Sequence, residues 1–223
     1  MTDAAATEPG GPPTPRSSLR LRQVPKLGAS VVVLAASSYV ANHGVPAWEV
    51  NLFEKIHNVP RAVDYALWLP MQAGSAFAPA VVAFVAWWIT RSWRPTVGSL
   101  VTGWGGWWLA KGVKDAIQRG RPSEVLADHM VRSTAVTEGL GFVSGHATVA
   151  FACAATLSPY VTRGWRTFGY GLATAVGLSR VVVGAHFPLD VVGGAALGLT
   201  LAYTWHLAVG IDLGARQRSA SER

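Results

Sequence analysis

Six segments of this chain, 27–43, 70–90, 95–114, 145–161, 167–185 and 188–210, are apolar and carry at most two Asp, Glu, Lys or Arg residues each. A helix that crosses the hydrocarbon core of a bilayer needs about 20 predominantly apolar residues. The segments have that scale, 27–43 being the shortest and rich in Ser. Half of all residues are hydrophobic and only 14% are charged, against roughly a quarter charged in a soluble domain. Composition therefore argues against a water-soluble globule and against a disordered chain. The expected fold is all-α: a six-transmembrane-helix bundle over 27–210. Between the first two spans, 46–68 mixes Trp48, Leu52, Phe53 and Ile56 with Glu49, Glu54 and Lys55, the pattern of an interfacial amphipathic helix.

A net charge of +7 would suit nucleic acid only if it clustered on one soluble face. Here it is divided among the connections between apolar runs, so no nucleic-acid partner is expected. Residues 1–26 are proline-rich and end in Arg16, Arg20, Arg22 and Lys26; they read as a flexible basic cytoplasmic tail rather than a signal peptide. With that end inside, Arg91, Arg94, Arg163 and Arg166 fall on the cytoplasmic side, as do Arg216, Arg218 and Arg223 in the tail 211–223. Most acids fall outside: Glu49, Glu54, Asp64, Asp115, Glu124, Asp128, Glu138 and Asp190. Yet Lys111, Lys114, Arg119, Arg121, Arg132 and Arg180 share that outer side, against the charge rule. Cations kept there need another reason, and phosphate binding supplies one.

Several features have structural readings. Trp87, Trp88, Trp104, Trp107 and Trp108 suit a membrane-interface belt. Gly194 and Gly198 allow close helix packing. Cys153 and His206 read as packed core residues, and a single Cys excludes a disulfide framework.

Three clusters carry chemistry. Lys114, Arg121 and Pro122 leave the third span; Ser144, Gly145 and His146 enter the fourth; Ser179, Arg180, His186 and Asp190 bridge the fifth and sixth. The charge-derived orientation puts all three on one face. Lys114, Arg121 and Arg180 can surround phosphoryl oxygens, arginine doing so with a planar fork. Ser144 and Gly145 begin a helix, whose free N–H groups and dipole favour an anion. If Pro188 opens the sixth helix, Asp190 lies about one turn from His186 and can take its Nδ1 proton. The free Nε2 is then a nucleophile toward phosphorus, and His146 is a general acid for the leaving group. Each residue alone has a plainer role, as a snorkelling cation or, for Ser144, a helix N-cap. Their joint order on one face is what those plainer roles leave unexplained.

The three clusters resemble the signature of the type 2 phosphatidic acid phosphatase family, K-x6-R-P, P-S-G-H and S-R-x5-H-x3-D, with matching internal spacing over roughly 95–210. The resemblance implies a six-span core. It implies His186 as nucleophile, Asp190 as its partner, His146 as acid, and Lys114, Arg121, Ser144, Gly145 and Arg180 as phosphate ligands. It also implies catalysis without a metal or other cofactor. Val143 replaces the proline of the second motif; activity is expected to survive, with a loop of altered rigidity. Vanadium-dependent haloperoxidases share the signature but are soluble. The expected activity is hydrolysis of a membrane lipid phosphate (phosphatidate, phosphatidylglycerol phosphate, or a polyprenyl phosphate or diphosphate) at the outer face of the cytoplasmic membrane. The partners are then the bilayer and a phosphate headgroup. A lipid-linked phosphotransferase would share the phosphohistidine step. A lipid transporter or scramblase would use the cations alone and leave the His186–Asp190 pair without a purpose.

Overall fold

The computed structural model describes residues 21–60, 62–126 and 139–211. The expected tails fall largely outside it, as do Asp128, Arg132, Glu138 and the side chain of Asp64. Nine α-helices form among the described residues: α1 Val24–Asn42, α2 Ala47–His57, α3 Ala62–Met71, α4 Ala78–Thr90, α5 Trp93–Ile117, α6 Pro122–Val125, α7 Gly145–Leu157, α8 Arg163–Val182 and α9 Pro188–Val209. No strand occurs among these residues, so the all-helical expectation holds.

Prolines place the helix starts. Pro122 and Pro188 open α6 and α9, and Pro25 and Pro79 lie in the first turns of α1 and α4. Proline fits there because its fixed φ is helical and its missing N–H would have had no partner. Two expected elements are broken. The segment 46–68 is two helices parted at Asn58–Pro60, where proline cannot donate to the preceding turn. The segment 70–90 is interrupted by a 3-10 turn, Gln72–Gly74, before α4. The chain bends there by 70° between the helical stretch Tyr65–Gly74 and Ala78–Thr90. Gly74 is essential to that bend: a Cβ on it would lie 2.6 Å from the carbonyl oxygen of His146.

By length and hydropathy, α1 and α9 are each able to cross a membrane, and the bent α3–α4 pair adds a third candidate. The other helices fall short of that measure: α7 has 13 residues, and α5 and α8, though long enough, are not apolar enough over their length. The outward faces are nonetheless apolar, with Val81, Phe84, Trp87, Trp88, Trp104, Trp108 and Phe168 exposed. An apolar surface of this extent belongs in lipid or against a partner, not in water. Trp107 departs from the expected belt. It is half-buried and faces His146, with ring centroids 6.4 Å apart.

Helix α9 packs against α1, α5, α7 and α8, and α7 is enclosed on most sides. With no hydrophobic driving force in lipid, such contacts rest on backbone proximity. Gly194 and Gly198 provide it: a Cβ on either would lie 2.4 Å from the Ser144 carbonyl oxygen or 2.3 Å from that of Thr148. On the neighbouring face, the hydroxyls of Thr102 in α5 and Thr156 in α7 are 2.9 Å apart. His206 is buried with Nε2 3.1 Å from the Thr156 carbonyl, and Cys153 is buried beside Ala78 and Val149, both as packed residues.

Helix α2 turns an unexpected face inward. Glu49, Phe53 and His57 are buried, whereas Trp48 and Leu52 are exposed. The acid lies inside the protein, contrary to its expected place on a polar face.

The glycine contact yields a stability prediction. Gly198→Leu forces α7 and α9 apart and should cost about 1–3 kcal/mol, as overpacking of a tight contact does. Gly171→Leu, where a Cβ meets nothing within 4 Å, should leave the melting temperature of the detergent-solubilised protein unchanged. Equal melting temperatures for the two variants would refute the contact's importance.

Candidate active site

The C-terminal ends of α5 and α8 meet the N-terminal ends of α7 and α9. Each end delivers one part of a site. Lys114 lies in the last turn of α5 and Arg180 in the last turn of α8; His146 is the second residue of α7, and Asp190 is the third of α9. Arg121 precedes α6, and His186 lies in the short loop ahead of α9. One cavity of about 190 Å³ is lined by Lys114, Arg121, Gly145, His146, Arg180 and His186, with Trp107, Ala110 and Lys111 at its edge. Residues separated by more than seventy positions thus share one space.

The cations are held mostly by neutral acceptors. Lys114 Nζ donates to the carbonyls of Leu140 (2.5 Å) and Gly141 (3.1 Å). Arg121 donates from Nε to the Gly139 carbonyl (2.7 Å) and from Nη1 to the Ala185 carbonyl (3.4 Å). Arg180, only 3% exposed, donates from Nη1 to the thioether sulfur of Met71 (3.0 Å), and its buried Nε has no hydrogen-bond partner. A thioether is a weak acceptor, so this guanidinium retains capacity for an anion. Lys111 stacks on Trp108, its Nζ 4.3 Å from the ring centroid.

Ser144 occupies the N-cap position of α7 but makes no capping bond, and its buried hydroxyl lacks a partner. The expected capping role is therefore not what this side chain does. Its backbone N–H instead donates to the Asp190 carbonyl (2.9 Å), tying the second cluster to the third. A Cβ on Gly145 would meet nothing within 4 Å, because that position faces the cavity. Val143 is fully buried in a cluster with Ala41, Ala110, Phe142 and Leu197. Apolar packing anchors the loop where the family motif has proline.

His186 Nδ1 lies 3.5 Å from Asp190 Oδ2, ion-pair distance rather than a well-formed hydrogen bond. Such pairs are commonly long before substrate binds. Asp190 Oδ2 also accepts the N–H of Phe187 (2.9 Å), capping α9. Burial, with Lys114, Arg180 and Arg121 nearby, holds the His186 imidazole well below its ordinary pKa; the Gly141 carbonyl opposes this weakly. At neutral pH the ring is uncharged and its lone pair available.

Sequence reasoning gave no site role to Glu49 and grouped Arg119 with the outer-side cations kept for phosphate, but Arg119 does not line the cavity and turns to buried acids instead. Arg119 Nη1 donates to Asp190 Oδ1 (2.7 Å), and both terminal nitrogens reach the Glu49 carboxylate. The only signal in the sequence was that Arg119 is a cation on the outer side against the charge rule. Among the described residues, no three His, Cys, Asp or Glu side chains gather as a metal site.

No curated protein matches the chain by sequence. Two solved structures share its fold. LpxE from Aquifex aeolicus superposes with a TM-score of 0.63 at 23% identity, over 72% of this chain and 95% of its own. A transmembrane PAP2 type phosphatidylglycerolphosphate phosphatase from Bacillus subtilis gives 0.56 at 20%, over 85% and 93%. The PAP2 superfamily model matches residues 98–211, a stretch that holds all three clusters and slightly more than half of the sequence. The chain belongs to the PAP2 superfamily.

Proposed function

We propose that the protein is an integral-membrane phosphatase that hydrolyses lipid phosphomonoesters or diphosphates through a phosphohistidine intermediate. The observation that carries this reading is the convergence of Lys114, Arg121, Arg180, His146 and His186 on one cavity. The unpartnered hydroxyl of Ser144 and the spare donors of Arg180 add capacity for a phosphate.

In the first step His186 Nε2 attacks phosphorus, the bond to the lipid oxygen breaks, and His146 gives that oxygen its proton. In the second, His146 takes a proton from water, the resulting hydroxide attacks phosphorus, and the P–N bond breaks to free His186 and phosphate. Asp190 stabilises the imidazole as charge develops on it. Lys114, Arg121, Arg180 and the first turn of α7 at Ser144 and Gly145 stabilise the equatorial oxygens, where transition-state charge is largest. The three cations supply electrostatics that a metal supplies in other phosphatases, so the reaction needs none.

The proposed topology has six passes: α1, the bent α3–α4 pair, α5, α7, α8 and α9. Both tails (1–26 and 211–223) are cytoplasmic, α2 lies at the outer interface, and the site opens on the outer face of the cytoplasmic membrane. A second, apolar cavity of about 270 Å³ between α4, α7 and α8 includes Ala150, one turn beyond His146, and continues to Leu157 and Phe168. It supports a substrate whose tail stays in the bilayer, such as phosphatidate, phosphatidylglycerol phosphate or a polyprenyl phosphate or diphosphate.

Purified protein in detergent should release phosphate from one of these lipids with EDTA present. His186→Ala should abolish release, and His146→Ala should lower kcat by about 10²–10⁴, the usual contribution of a general acid–base. Strict metal dependence, or full activity in His186→Ala, would end this reading. Assays with and without an alcohol acceptor separate hydrolysis from phosphoryl transfer.

A pH prediction follows from the depressed His186 pKa. Protonation removes the nucleophile, so activity is lost as pH falls through that value. The acid limb of kcat/KM, corrected for substrate ionisation, should lie well below the ordinary imidazole value of 6.5. A limb at 6.5 or above contradicts a neutral, buried nucleophile.

A further inference from the structure

Behind the cavity lies a buried ionic network to which the mechanism assigns no task. Glu49 is 0% exposed, Arg119 4% and Asp190 0%. Glu49 Oε1 accepts the backbone N–H of Leu189 (2.8 Å) and Arg119 Nη1 (3.3 Å), while Oε2 accepts Arg119 Nη2. Arg119 Nη1 also donates to Asp190 Oδ1 (2.7 Å), and Nη2 to the Gly44 carbonyl (3.3 Å). The guanidinium lies over the Phe187 ring, 5.2 Å from its centroid, and the Arg119 carbonyl accepts the N–H of Gly141 (2.7 Å). The Arg119 side chain thus joins the α1–α2 connection, α2 and the start of α9, and its carbonyl adds the loop ahead of α7.

Burying two acids and a cation is costly and seldom a net source of stability compared with an apolar replacement. A task in the site accounts for the expense. Asp190 has two oxygens and three claimants: Arg119 on Oδ1, and the Phe187 N–H and His186 Nδ1 on Oδ2. Were Arg119 unopposed, its charge would cancel that of Asp190 and leave the imidazole little support. Glu49 opposes it.

We infer that Arg119 and Glu49 are positioning residues for the His186–Asp190 pair: Arg119 fixes the Asp190 carboxylate so that Oδ2 faces His186, and Glu49 balances Arg119 so that Asp190 keeps its negative charge for the imidazole. The inference rests on His186 being the nucleophile, as proposed above. Glu49 also fixes the Leu189 N–H, so α2 sets the first turn of the helix that presents Asp190.

Other charged groups act on the same ring. His186 faces Asp190 from α9, Lys114 from α5, Arg121 from the segment after it, Arg180 from α8 and His146 from α7. These stay constant when residues 49 and 119 are changed, so the effect of the network can be isolated.

The test measures kcat, KM and the pH profile of phosphatidate hydrolysis in detergent micelles for wild type, His186→Ala, Glu49→Gln, Arg119→Met and the double variant. Glu49→Gln leaves Arg119 unbalanced and should move the acid limb of kcat/KM to lower pH by about one unit, the scale of a neighbouring charge. Arg119→Met removes a cation and should move it to higher pH. Each should lower kcat about tenfold or more, as loss of an outer partner of a functional imidazole does, with KM within about threefold. The double variant has the wild-type net charge, so its limb should return toward wild type while kcat stays low. It also keeps the net charge of the buried group, so it provides the reading if a single variant fails to fold. Folded double variant with kcat within twofold of wild type, or single variants whose limbs shift together or not at all, would overturn the inference. Wild-type protein inert toward phosphatidate and toward the other candidate lipid phosphates, or active His186→Ala, would instead strike the phosphohistidine reading on which this one depends.

Discussion

The close approach of α7 and α9 sets the geometry of everything else. Gly194 and Gly198 let the backbones touch at Ser144 and Thr148, and the Ser144 N–H bonds the Asp190 carbonyl. Two helix N-termini are thereby held side by side in fixed register. One carries Gly145 and His146, the other the capping carboxylate of Asp190 with His186 just ahead of it. A Cβ at position 194 or 198 would push these starts apart, and a catalytic geometry tolerates little such displacement. The small-residue contact, ordinary in a helical membrane protein, therefore sets the geometry of the cavity at its end.

Several parts of this arrangement were legible in the sequence. Pro188 opens α9 and puts Asp190 in its first turn, as the spacing implies. Gly194 and Gly198 meet a neighbouring backbone, and Cys153 and His206 pack as core residues. The grouping of the three clusters follows from counting passes and charges, because alternate helix ends must share a face.

What escaped was decided by tertiary contact. In α2 the mix of apolar residues and acids reads as an interfacial amphipathic helix, and nothing in that pattern directs an acid inward. The structure rotates the helix so that Glu49 faces Arg119, seventy residues away in sequence. Arg119 stands two places before Arg121 outside regular helix, so the two side chains take different directions, one toward the buried acids and one into the cavity. Trp107 is indistinguishable in sequence from Trp108, yet only the former faces His146. At the break Gln72–Gly74, Gly74 lies against the His146 backbone carbonyl and Val176, a contact that no local pattern records.

Charge explains why such a site is stable only when partly balanced. Lys114, Arg121, Arg180 and Arg119 oppose Asp190 and Glu49, leaving a surplus of positive charge around the two imidazoles. A phosphomonoester near neutral pH brings about −1.5 to −2. On the proposed reading, the cavity is an electrostatic hole whose charge a phosphate headgroup offsets. Under the proposed reading, an arriving dianion offsets that surplus beside His146, the group that would protonate the leaving oxygen. On the same reading, the buried Glu49–Arg119 pair keeps Asp190 from being consumed in that balance.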